Sequence, residues 1–337
     1  MFAAALSVVT SAQTFTSREL VDVELADSNT LVILISAPGA IAPGVYHWPR
    51  AAASPTRKCK LNAPASFSFD RRLVIERPRG EPSVVNVFDF RSCRRLAHIR
   101  LPGRVLIDAD AHHRYVAIAS RDNEGVRSIR LYNFRGKQLA ETAVGANVEM
   151  GFSPDGKALV NFDLSDKADA RSDIWTLPRL ARVPGPAWAA IGETTFVHGT
   201  RFVKRYTENS LAVARWPDGR LLYAVKVDHN ARLRSISANG RFGLLHERQE
   251  RLEVLDWVDF ASGRRLTVAS GQHGGIDHAT IDSAGSTVAW TERGADGENR
   301  VTVRRASIDI RSDGVSVLPM TGPNLMNEPR KVVAGMP

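Results

Sequence analysis

Long apolar runs are missing from this chain. The longest, Met1–Val9, falls far short of the ~18–20 residues that a membrane-spanning helix needs. Cysteine is nearly absent: Cys59 and Cys93 form no C-x-x-C pair and have no histidine close in sequence, which removes zinc-ribbon chemistry. The two thiols pair in an exported chain or stay free in a reducing compartment, and the sequence leaves both open. Lysine is scarce too, eight of 45 basic residues, so the formal net charge of +9 is carried by arginine. Blocks of consecutive Lys or Arg are absent and aromatics are not interleaved with basic residues, so nucleic acid is not the expected partner. There is no G-x-S-x-G elbow, which excludes an appended serine-peptidase domain, and six scattered tryptophans supply no repeated quinone-docking motif. Helical periodicity over ten residues or more is also missing.

What remains is β-type sequence. Runs such as Thr30–Ile35, Tyr115–Ser120, Leu221–Val227 and Val301–Arg305 are rich in β-branched or aromatic residues and are separated by Gly, Pro, Asn, Asp and Ser clusters. An apolar strand ending in a large residue recurs at Trp48, Phe90, Phe134, Leu177, Trp216 and Phe260, in steps of 42, 44, 43, 39 and 44 residues. A strand–turn–strand unit precedes most of these: FSFDRRLVI from Phe67, DAHHRYVAI from Asp110, SPDGKALVN from Ser153, SANGRFGLL from Ser237 and SAGSTVAWT from Ser283. The two interleave in one phase, giving four strands per repeat. The expected fold is all-β, a β-propeller of seven blades, each of four antiparallel strands. The blades are expected near 19–63, 64–103, 104–146, 147–186, 187–230, 231–274 and 275–318. Residues 1–18 read as a signal-peptide remnant or as an outer strand closing the ring, and 319–337 as a loose tail.

Ser153-Pro154-Asp155-Gly156-Lys157 followed by Ala-Leu-Val resembles the blade signature of WD-repeat-like and TolB-like propellers. The resemblance implies a binding, scaffolding or catalytic disc, and therefore leaves function to the site.

Alternation of the four strands sorts the loops onto two faces. The turn after the first strand and the turn after the third share one face, which collects Arg71, Arg72, Arg94, Arg95, Arg114, Arg135, Lys157, Arg220, Arg241, Arg264 and Arg265. The other face has longer loops with Glu124, Asp163, Asp166, Asp169, Glu208, Glu250, Asp296 and Glu298. A basic face of this kind favours another protein or an acidic ligand. The titratable residues Asp108, Asp110, His112 and His113, with Asp277 and His278 at a similar phase, are weak candidates for a cation site in the central channel. No cofactor is expected. The leading expectation is a non-catalytic binding or scaffold propeller, exported to the periplasm or secreted from a bacterial cell, with a cytoplasmic location as the alternative. The competing function is an enzyme resembling the propeller lactonases, with a metal or acid/base site in the channel.

Overall fold

A computed structural model describes residues 15–17, 21–36, 41–62, 64–112, 114–144, 150–161, 173–183, 193–197, 200, 202–207, 210–228, 230–248, 252–272, 275–294, 301–311 and 314–318. Among them every regular element is a strand, and no helix is long and apolar enough to cross a membrane. The strands form seven antiparallel sheets in which neighbours in sequence are neighbours in space, except that Phe15–Ser17 joins the seventh sheet. Their spans, from Val21–Lys60 through Ile276–Leu318, fall inside the seven repeat intervals read from the sequence.

Each sheet buries both faces, so its central strands are almost continuously apolar. The strand Thr30–Ile35 illustrates the period of two that this requires. Leu31, Ile33 and Ile35 pack toward the seventh sheet with Val301 and Val303. Val32 and Leu34 pack toward the second sheet with Phe67, Val74 and Phe90. Equivalent apolar clusters join sheets two and three, three and four, five and six, and six and seven. Trp216 of the fifth sheet packs on Ala158, Val160 and Ile174 of the fourth. Seams of this kind join each sheet to the next in sequence order, the arrangement of a propeller whose blades are these sheets. The recurring large residues belong to these seams. Trp48, Phe90 and Phe260 are fully buried, while Phe134, Leu177 and Trp216 pack partly buried against neighbouring clusters.

The first strand of each blade is the inner one. Val21–Leu25 of blade 1 lies against Ile276–Ile281 of blade 7, which in turn lies against Ala231–Ile236 of blade 6. At the outer edge of blade 7, Phe15–Ser17 pairs antiparallel with Val301–Val303, and Gly314–Leu318 pairs with Ser307–Arg311 of the same long strand. Both ends of the described chain thus meet in one sheet. Residues 1–14 and 319–337 lie outside the described residues.

Cys59 and Cys93 are joined, with Cα atoms 5.3 Å apart. The bond ties the outer strand of blade 1, Thr56–Lys60, to the turn that follows the third strand of blade 2.

Candidate functional site at the mouth of the central channel

The first turns of blades 2, 4 and 6 share one set of side-chain bonds. In each, a serine fully out of water donates to the Asp or Asn two residues on: Ser68 to Asp70 at 2.6 Å, Ser153 to Asp155 at 2.6 Å and Ser237 to Asn239 at 2.7 Å. The backbone N–H five residues after each serine donates back to its hydroxyl. The fourth residue of the turn lies in the left-handed region, where glycine is favoured. It is Gly156 in blade 4 and Gly240 in blade 6, but in blade 2 it is Arg71, with φ of 58°.

That arginine does not stand on the face. Its guanidinium runs toward the channel and is only 19% exposed. It donates to both carboxylate oxygens of Asp22 on the inner strand of blade 1, at 3.0 and 2.9 Å. Glu24, two residues along the same strand, lies 3.8 Å from Arg71 Nε and accepts from Thr280 Oγ1 of blade 7 at 3.1 Å. His278 Nδ1 lies 3.2 Å from Asp22. Three blades therefore converge on one cluster: Asp22, Glu24, Arg71, His278 and Thr280. Burial pushes the Asp22 carboxyl up, but Arg71 and His278 outweigh it and hold the group below the usual carboxylate range. At Glu24 burial wins. Arg71, already committed to Asp22, compensates too little, and the nearby Asp22 charge adds to the rise, so the group is pushed up to about 7.

Bulges re-aim side chains at one level of the channel. The inner strands of blades 3, 6 and 7 each slip register, between Leu106 and Asp108, Leu233 and Ser235, and Ile276 and Ala279. Asp108 there meets Arg77 at 2.9 Å, and Arg234 donates to His246 Nδ1 at 2.7 Å. Asp277 meets Arg293 at 2.6 Å. His246 in turn contacts Glu253, which also accepts from Ile276 N across the blade 6–7 seam at 2.9 Å. Burial raises the Glu253 carboxyl, yet Ile276 N–H, Arg248 and His246 together bring it down to about 2.

The suggested cation site does not assemble, because each candidate is held by a different partner. Asp110 is buried and accepts from Phe69 N of blade 2 at 2.8 Å and from Phe152 N of blade 4 at 2.9 Å, so it ties three blades together. Burial pushes it up to about 7 despite those donors. His112 packs against Phe152 and the turn at Gly156. Asp108, Asp277 and His278 have the partners named above, and His113 lies outside the described residues. Among the described residues no group of three or more His, Cys, Asp or Glu is arranged to hold a metal ion.

The connectivity puts the turns after the first and third strands on one face. Arg94, Arg95, Arg114, Arg135, Lys157, Arg220 and Arg264 are exposed there, and none forms an ion pair with a described carboxylate. Arg72 is exposed beside them. Arg241 is clamped on Asp259 at 3.0 and 2.8 Å, and Arg265 on Glu247 at 2.7 Å. Of the acidic residues expected on the opposite face, Glu124 lies in a described loop. Asp163, Asp166, Asp169, Glu208, Glu250, Asp296 and Glu298 lie outside the described residues.

On the turn-bearing face the channel opens into a cavity of about 510 Å³, walled by blades 1, 2, 5, 6 and 7, with Glu24 and Arg71 in its lining. The sequence pointed to the turn arginines but not to Asp22, Glu24 or Thr280. The available signal was Asp22-x-Glu24 in VDVEL, two carboxylates at strand spacing on an inner strand.

The fold is that of a β-propeller. The chain is similar to the solved beta-propeller domain of Myceliophteria thermophila Cps50 (Swd1), with TM-score 0.57 and 12% identity over 89% of this chain and 99% of that one. It is also similar to a chain of the mitotic checkpoint complex, with TM-score 0.53 and 11% identity over 90% of this chain and 93% of that one. No protein-family model matches the chain, and no curated protein matches it in sequence. At these identities the likeness establishes architecture alone.

Proposed function

We propose that this propeller is a non-catalytic docking module that captures an acidic protein segment on the face formed by the first and third turns of its blades. The observation that carries the reading is the set of exposed arginines, Arg94, Arg95, Arg114, Arg135, Arg220 and Arg264, spread over that face without carboxylate partners among the described residues. Unpaired surface charge of one sign raises the on-rate for an oppositely charged partner and makes capture sensitive to salt. The propeller chains similar to this one, one of them from the mitotic checkpoint complex, fit a binding role for the architecture. The module works outside the reducing cytoplasm, in the periplasm or beyond a bacterial cell. The Cys59–Cys93 bond between two blades supports that location.

The test is binding of a polyglutamate peptide to the wild-type chain and to the Arg94→Glu, Arg95→Glu, Arg135→Glu, Arg264→Glu variant. Affinity falls at least tenfold in the variant and its salt dependence flattens. Unchanged capture refutes the reading. Lactone hydrolysis is the second reading, favoured by the Asp22–His278 contact, which presents an oriented imidazole to the channel. Turnover of any lactone that disappears in His278→Ala would establish it instead.

A further inference from the structure

The charges around the channel mouth are sorted by depth. Arg72 and Arg91 stand at the exposed rim of the 510 Å³ cavity. Arg91 donates there to Ala26 O at 3.2 Å. Asp89, on the same wall, has its Oδ1 occupied by Ser92 N and Ser92 Oγ, both at 2.7 Å. Glu24 is different. Its side chain is 19% exposed, and its Oε1 accepts from Thr280. Its Oε2 stands 3.8 Å from Arg71 Nε, beyond hydrogen-bond reach, and the carboxylate also takes a backbone hydrogen bond from Leu25. Arg71 gives both of its bonds to Asp22 from Nη1, and its Nε stays 3.8 Å from Glu24, so the cation is shared unevenly in favour of Asp22. Ser235 Oγ lines the same cavity and accepts from Ile281 N at 3.3 Å, which leaves a second lone pair open. A shielded carboxylate lacking a full counter-charge, in one cavity with a hydroxyl that has spare acceptor capacity, is a seat for a compact cation with several donors.

Building on the docking face proposed above, we infer that the cavity is a subsite for one lysine side chain carried by an otherwise acidic partner segment. Its ammonium is seated on Glu24, while the flanking acidic residues meet the arginine rim. The groups facing Glu24 are Asp22 and the Leu25 backbone N–H on its own strand, Arg71 from blade 2 and Thr280 from blade 7, while His278 of blade 7 faces Asp22. Only Arg71 is a permanent cation, and it is shared. An incoming ammonium restores the balance and expels the proton that Glu24 holds part of the time near neutral pH.

Two probes test this: a nine-residue peptide of glutamates with a single central lysine, and the same peptide with norleucine at the centre. Fluorescence anisotropy on the full chain is expected to show the lysine peptide binding about tenfold tighter, roughly the worth of one charge-assisted hydrogen bond. Glu24→Gln removes the preference without weakening the norleucine peptide. Calorimetry at pH 7 in two buffers of different ionisation heat shows proton release for the lysine peptide alone. Equal binding of both peptides overturns the subsite and leaves the docking face standing, and a lysine preference that survives Glu24→Gln overturns its location. Failure of both peptides to bind overturns the docking face along with the subsite. If Glu24→Gln does not fold, the peptide pair and the proton release on the wild-type chain decide the matter by themselves.

Discussion

The turns Ser68–Arg72 of blade 2 and Ser153–Lys157 of blade 4 are one device built twice. Each has a buried serine bonded to the aspartate two residues on, a backbone N–H returned to that serine, and a fourth residue in the left-handed region, at 58° in one and 65° in the other. They differ in what the fourth residue does. Gly156 leaves room for the neighbouring blade: a Cβ there would stand 2.7 Å from the His112 ring. Arg71 takes the same backbone conformation at a steric cost of about 1–2 kcal/mol and uses its side chain to reach Asp22 on the neighbouring blade 1. The repeat thus supplies a rigid turn, and one copy has exchanged conformational ease for a charge placed where three blades meet. Position in the ring, not turn type, decides which copy serves the site.

Removing the arginine is the largest test of that contrast. Arg71→Met strips the shared cation from two half-buried carboxylates, so the midpoint of urea unfolding should fall by the equivalent of about 2–4 kcal/mol. Arg71→Gly is expected to lose about 1 kcal/mol less, because the turn relaxes. If the two substitutions cost the same, Arg71 is not strained. The reverse experiment comes next. Gly156→Ala should cost about 2 kcal/mol in the same assay, part from the left-handed backbone and part from the clash with His112. Combining it with His112→Ala should cost less than the sum of the two single variants. Strict additivity would show that the imidazole is not what the glycine accommodates.

The smallest effect is on pH dependence. Glu24 and Asp110 both have folded-state values raised to about 7 from the ordinary carboxylate range. The folded chain therefore holds protons that the unfolded chain has released. The stability these groups contribute is fully present at about pH 4 and is lost as pH rises toward 7. Asp22 and Glu253 have lowered values and work the other way, contributing above pH 4.5 and losing that contribution as pH falls. Melting temperatures between pH 4 and 8 should show a shallower loss toward neutrality in Glu24→Gln than in the wild type. A parallel pair of curves would mean that Glu24 titrates normally.

The architecture was legible because propeller repeats are quasi-periodic. Trp48, Phe90 and Phe260 recur at a fixed step because each fills an equivalent seam, and a residue pattern repeated at that step survives local irregularity. The turn arginines were legible for the same reason, since strand alternation assigns every turn to a face. The channel cluster was not. Asp22 and Arg71 are 49 residues apart, and Glu24 and Thr280 are 256 apart, so only closure of the ring brings them together. The sequence also gave no means of separating Arg71 from Lys157, although one points inward and the other out. Asp110 and His278 were read as neighbours in phase, yet Asp110 is taken up by backbone N–H groups of blades 2 and 4 and His278 by Asp22.

Hydrogen exchange tests the docking account most directly. On adding the lysine-centred glutamate peptide, amide protection should rise in the turns at Asp70–Leu73, Asp89–Arg95 and Ala238–Arg241, around the channel mouth, and stay unchanged in the loops of the opposite face. Protection confined to the opposite face, or no change in these turns at peptide saturation, would contradict it.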